Sequence, residues 1–143
     1  MRAIALALSM LLLVLPTCGG QHELYGLYYA ASNDQKGELV ALVISPDGKP
    51  IPPKANDPDA PTQPGLHVGQ QHYSFASSRL SSKGFSFRTV SANGVDFSFY
   101  GRFGHEKVES IGNVPYLDGT LGEMHGGRLV QKRIVHFGHA VIL

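Results

Sequence analysis

Alternation with a period of two constrains this chain more than any other feature. No stretch of eleven or more residues places apolar side chains at i, i+3, i+4 and i+7, the mark of an amphipathic helix. Instead Tyr25, Leu27 and Tyr29 alternate with Gly26 and Tyr28, and residues 38–45 (ELVALVIS) form a short, branched, almost continuously apolar run. Such a run is expected of a strand covered on both faces. Further strand-like segments lie at 73–76, 85–90, 95–103, 116–124 and 129–143. Turn-forming sequences separate them: residues 32–37 (SNDQKG), Ala92-Asn93-Gly94 and His125-Gly126-Gly127. Glycine makes up 17 of 143 residues, which suits the tight turns and close backbone approaches of a small barrel. The expected fold is all-β: a single antiparallel meander or up-and-down barrel of about eight strands.

One hairpin allows a test of register. A two-residue loop at Asn93-Gly94 puts Phe87 opposite Tyr100 and mixes the faces. A three-residue loop over Ala92-Asn93-Gly94 opposes Phe87 to Phe99 and Thr89 to Phe97. Phe85, Phe87, Phe97 and Phe99 then share one face, and Ser86, Arg88, Ser98 and Tyr100 share the other. A one-residue slip would invert every side chain, so the second register is the expected one.

The first twenty residues read as an address. Met1-Arg2 precedes thirteen uncharged residues, 3–15, with Ser9 alone polar. That is short of the roughly 20 residues that cross a bilayer, and it fits a secretory signal peptide cleaved after Gly20. Leu15-Pro16-Thr17-Cys18 also resembles the lipobox of bacterial lipoproteins, in which the cysteine is acylated and becomes the new N-terminus. Thr17 stands where that motif carries Gly, Ala or Ser, and Pro16 is unusual there. The resemblance implies a lipid anchor on Cys18 and is the alternative to simple cleavage. Both place the protein outside the cytoplasm, periplasmic or secreted, with contact to a membrane only through that anchor. Residues 21–143 then form the single β domain.

The domain is interrupted by residues 46–64, which hold seven of the nine prolines interleaved with Asp and Lys. Proline cannot serve a strand ladder, so this reads as an exposed, semi-extended excursion between two strands. Residues 43–52 resemble the strand–Asp-Gly–Pro signature of transthyretin-like carboxypeptidase regulatory domains; the glycine-led repeat of that family does not follow, and no role is carried over.

Charge narrows the functional classes. With Arg2 in the leader, the domain keeps eleven Lys and Arg against eleven Asp and Glu. A net charge near zero disfavours a nucleic-acid binder, which lives on a basic surplus. One cysteine excludes an internal disulfide framework and a multi-thiolate zinc site. Seven histidines (22, 67, 72, 105, 125, 136, 139) would turn the balanced surface cationic below about pH 6. They do not form a metal set by spacing: His136 and His139 point to opposite faces of a strand, and His67 and His72 do so if they share one. Gly101 and Gly104 suggest a turn before His105. No cofactor or metal is expected. No nucleophile elbow occurs, and Asp96, Asp118 and Glu123 are carboxylates that strand ends could present. Asn56-Asp57-Pro58-Asp59 reads as a solvated turn, since it lacks the glycine and distal glutamate of a calcium loop.

The aromatic residues remain. Tyr25, Tyr29, Phe87, Phe97 and Phe99 are candidate walls for an apolar ligand, although a domain this small favours aromatics packed against one another. On the opposite parity Tyr28, Tyr100 and Arg102 should face solvent or a partner. The leading expectation is a non-enzymatic extracytoplasmic binding or interaction barrel for a small apolar ligand or a protein. The alternatives are a small secreted hydrolase with its site at strand ends and the proline-rich loop, and an outer-membrane barrel.

Overall fold

A computed structural model describes residues 22–31 and 38–140. The leader, Cys18 and the 32–37 turn lie outside the described residues. After a 3₁₀ turn, His22–Leu24, nine antiparallel strands form one nearly closed barrel-like sheet. They are β1 (Gly26–Ala30), β2 (Val40–Ile44), β3 (Gly65–Val68), β4 (Gln71–Tyr73), β5 (Phe75–Leu80), β6 (Gly84–Thr89), β7 (Val95–Val108), β8 (Gly112–His125) and β9 (Arg128–His139). Each strand pairs with its sequence neighbour, and β9 returns to pair with β1. The exception is β4 and β5, which Ser74 alone separates. β4 pairs with β3 and β5 pairs with β6, so the two are halves of one bent strand. The meander therefore has eight walls, and the bend at Ser74 leaves a gap in it.

The interior is filled. Phe87 and Phe99 stack at 5.3 Å between ring centroids, Tyr73 meets Phe97 edge-on at 4.9 Å, and Phe137 meets Phe99 edge-on at 5.6 Å. Edge-on and offset contacts of this kind are favoured by the ring quadrupoles. Leu42, Leu66, Leu117 and Leu121 complete the apolar core. Gly101 and Gly119 face each other across β7 and β8 because Phe99 lies over them. A Cβ on Gly119 would stand 2.3 Å from the Tyr100 carbonyl oxygen and 2.6 Å from the Phe99 ring.

The phenylalanine register is as expected: Phe87 opposes Phe99 and Ser86 opposes Tyr100. The loop is not. Ala92 and Val95 pair around a two-residue Asn93-Gly94 turn in which both residues have positive φ, at 53° and 77°. Asparagine and glycine tolerate that left-handed backbone at little cost. Comparing the two registers, Val90 and Ser91 together oppose Asp96, so a β-bulge takes up the residue assigned above to the turn.

Three other expectations are corrected or refined. Tyr28 is fully buried inside the barrel, while Leu27 and Tyr29 point outward. The apolar pattern of β1 gave no preference because both of its faces are covered. The Tyr28 hydroxyl donates to the Leu24 carbonyl at 2.8 Å, and burial raises its pKa. Second, the proline-rich segment is a largely exposed excursion between β2 and β3, as expected, but it is anchored. It folds back over the outer face of β1 and β2, where Ala60 and Ile51 join Leu27, Ala41, Val43 and Ala140 in a second apolar cluster. A hydrogen bond from Ile51 N to Thr62 O closes the segment on itself, and one from Lys54 Nζ to Ala140 O ties it to the barrel. Third, residues 101–105 continue β7 rather than turning. Gly104 is needed for space, since a Cβ there would stand 2.3 Å from the Tyr116 ring.

Candidate functional site

The bend at Ser74 has a geometric consequence. β3 begins at Gly65, opposite Val43, and ends its partnership with β4 at Tyr73. Beyond that point no described strand pairs with the edge of β5 that faces away from β6. Across this seam stand the end of β2 and both ends of the proline-rich segment. The space between is an open cleft of about 520 Å³. Its apolar floor is Ile44, Phe75, Leu80 and Phe85; its rim is polar, with Ser45, Gln63, His72, Ser74 and Ser78. The floor joins the core directly: Phe75 lies 5.7 Å from Phe85 and 5.0 Å from Phe87, centroid to centroid.

The rim is held in place from both sides. The Asp47 carboxylate accepts hydrogen bonds from Lys49 N at 3.0 Å and Ser45 Oγ at 2.9 Å, which hold its pKa below the usual carboxylate range. On the opposite flank the His72 ring donates from Nε2 to Pro64 O at 2.8 Å, tying β4 to the end of the proline-rich segment. His67 makes the equivalent bond to Gln63 O at 2.9 Å. The two imidazoles stack with centroids 4.6 Å apart. The separation expected for a shared strand does not apply, because a turn at Gly69-Gln70 places them directly opposite on β3 and β4. Burial lowers the His67 pKa, helped by the charge of His72.

Four of the five aromatic wall candidates share one cluster, Tyr25 packing against the core that holds Phe87, Phe97 and Phe99, while Tyr29 belongs to the outer one. Phe87, Phe97 and Phe99 are buried in the packed core. Tyr29 lies on the outer face beneath the proline-rich segment, and Tyr25 alone lines the seam cleft. The cleft residues Phe75, Leu80 and Ile44 escaped sequence reasoning. The sequence carried no signal for them, because Ser74 lies inside the strand-like run 73–76; only the pairing of β4 and β5 with different neighbours shows that the strand bends there.

Histidines 136 and 139 do lie on opposite faces of β9. His136 bonds to Asp118 and packs on Tyr116 outside. His139 meets Tyr28 edge-on at 4.8 Å inside, and burial lowers its pKa. Among the described residues no group of three or more His, Cys, Asp or Glu is arranged to hold a metal ion. Asp118 lies in mid-strand rather than at a strand end, and Glu123 points inward toward Arg133, 3.9 Å away. Asp96 lies 3.7 Å from Arg88 on the outer wall. Tyr100 and Arg102 face outward as expected.

Compared with known proteins, the chain matches no protein-family model, no curated protein and no solved structure.

Proposed function

We propose that the chain is an exported, non-enzymatic binding module that takes a small apolar or amphiphilic ligand in the seam cleft. One observation carries this reading: the gap in the hydrogen-bonded wall coincides with the place where core aromatics come within reach of solvent. Ligand sites are typically concave and mostly apolar, with a few polar groups at the rim, and this cleft has that composition. The interior of the barrel is packed, so a ligand sits across its wall rather than inside it. The outer face of β5–β9 carries Arg79, Arg88, Arg102, Asp118, Lys132 and His136, which favours a water-facing module over an outer-membrane barrel.

A neutral apolar dye such as N-phenyl-1-naphthylamine tests this. Its fluorescence should rise on binding the folded protein, and Ser78→Phe, which fills the cleft, should abolish the rise while leaving the unfolding midpoint within a few degrees. An unchanged dye response in that variant contradicts the proposal.

A second reading rests on the edge of β5. The alternate residues whose backbone groups point away from β6 offer them to an extended peptide from a partner, which would add as a strand. Proline substitution at Ser77 would weaken peptide capture and spare dye binding.

A further inference from the structure

A second cleft lies on the other side of the β5–β6 hairpin, and its chemistry is different. It measures about 610 Å³ and is lined from one flank by Arg79, Ser82 and Lys83, and from the other by Ser86, Tyr100 and Arg102. Register explains how these meet. Arg79 opposes Ser86, which opposes Tyr100, forming one outward row across β5, β6 and β7. In the next row Arg102 opposes Gly84. Glycine places no side chain beside Arg102, and a Cβ there would stand 2.5 Å from the Gly101 carbonyl oxygen.

Among the described residues no carboxylate lines this cleft, in a domain whose fixed charges balance. Arg79, Lys83 and Arg102 make no side-chain hydrogen bond or ion pair with the described residues. The neighbouring acids are already engaged or lie further off. Asp118, across from Arg102 on β8, bonds to His136. Glu23 lies 3.4 Å from His105, which stands at the cleft margin. Glu106 stands four residues beyond Arg102 on β7. The hydroxyls of Ser82 and Ser86 are likewise without partners among the described residues. Ser81 is not, since its oxygen accepts from the backbone N–H groups of Lys83 and Gly84 and stiffens the turn. Tyr100 is 65% exposed.

We infer that this cleft binds a saccharide bearing sulfate or phosphate. Three cations without partners among the described residues match the doubly or singly charged ester, and guanidinium groups suit its oxygens by geometry. The free serine hydroxyls suit sugar hydroxyls, and an exposed tyrosine ring suits the apolar face of a pyranose. A lipid headgroup is disfavoured because it brings acyl chains. Apart from Tyr100 the large apolar residues of the lining are Phe85 and Phe103, the first buried and the second half-buried. The inference does not rest on the seam-cleft reading: the ligand chemistry and the cations are different.

Calorimetric titration of the full chain tests it, with a sulfated hexasaccharide, a phosphorylated one, the unsubstituted hexasaccharide, inorganic sulfate, inorganic phosphate and phosphatidylglycerol vesicles as probes. The sulfated or phosphorylated sugar should bind, the tighter of the two identifying the ester. Its affinity should fall as salt is raised from low ionic strength. Both the unsubstituted sugar and the inorganic ions should bind at least about tenfold more weakly, as should the esterified sugar to Arg79→Ala/Arg102→Ala, one lost charge-assisted hydrogen bond being enough for that factor. Both arginines are exposed, so the unfolding midpoint of the double variant should not move. Tyr100→Ala should weaken the sugar and leave inorganic sulfate unaffected. Failure of both esterified sugars to bind, equal binding of the bare ions, preference for vesicles, or undiminished affinity in the double variant would each overturn the proposal. A negative dye result with an intact sugar response would sink the seam-cleft reading alone.

Discussion

The wall formed by β1 and β2 and the wall formed by β7, β8 and β9 are built from similar residues and behave differently. All five residues of β2 are buried, because the core lies on one side and the proline-rich segment on the other. On β7 the alternation is plain: Phe97, Phe99 and Gly101 are buried, while Tyr100 and Arg102 face water. A strand with one wet face records its orientation in its sequence. A strand dry on both faces does not, since apolar side chains satisfy either side. That is why the phenylalanines of β6 and β7 could be placed correctly and Tyr28 could not.

Substitutions at matched positions sharpen this contrast. Phe97→Ala, on the inner face and in edge-on contact with Tyr73, should cost about 3–5 kcal/mol in urea denaturation. Ile134→Ala, on the outer face of β9 and 90% exposed, should stay within about 0.5 kcal/mol. Equal costs would mean that the β7–β9 wall is covered on both sides too. Gly119→Ala should lose about 1–3 kcal/mol, because the added methyl meets backbone on the neighbouring strand as well as the packed Phe99 ring. On the doubly covered wall, Tyr28→Phe removes the donor to Leu24 O and should cost about 1 kcal/mol, read from the same denaturation curves. No loss there would mean that Tyr28 is wet.

The smallest effect is with pH. Burial holds His67 and His139 below the ordinary value of 6.5 in the folded protein. As pH falls through 6.5 the unfolded chain takes up these protons first, so unfolding is favoured in acid. Their contribution is fully present above pH 6.5 and is lost as pH drops through the lowered folded values. The thermal midpoint should therefore fall between pH 7.5 and 5, and His139→Gln should flatten part of the slope. A midpoint that rises over this range would contradict the burial of both rings.

Much of the fold was legible. Period-two alternation, glycine turns and the absence of a helical stripe point to a small antiparallel barrel of about eight strands, and that is the architecture seen. The Phe87–Phe99 register followed from the need to gather four rings on one face. What could not be read depends on contacts between distant parts of the chain. Nothing local in residues 46–64 shows that Ala60 will be buried against Leu27 and Val43. His67 and His72 are five apart in sequence, yet a turn between them makes them neighbours. The seam cleft depends on Ser74, which looks like any serine until its flanking strands choose different partners. The cationic cleft is similar: Arg79, Lys83 and Arg102 come together only through two hairpin registers.

The central claim is that the gap beside β5 is the point of entry to this barrel's aromatic core. The most direct measurement is a pair of amide correlation spectra of the isotopically labelled protein, recorded with and without the neutral apolar dye. Shifts confined to Ile44 and Ser45, Gln63 and Pro64's neighbour Gly65, residues 72–80 and Phe85 are the predicted result. Shifts centred on Tyr100 and Ile134, or none at saturating dye, would contradict it.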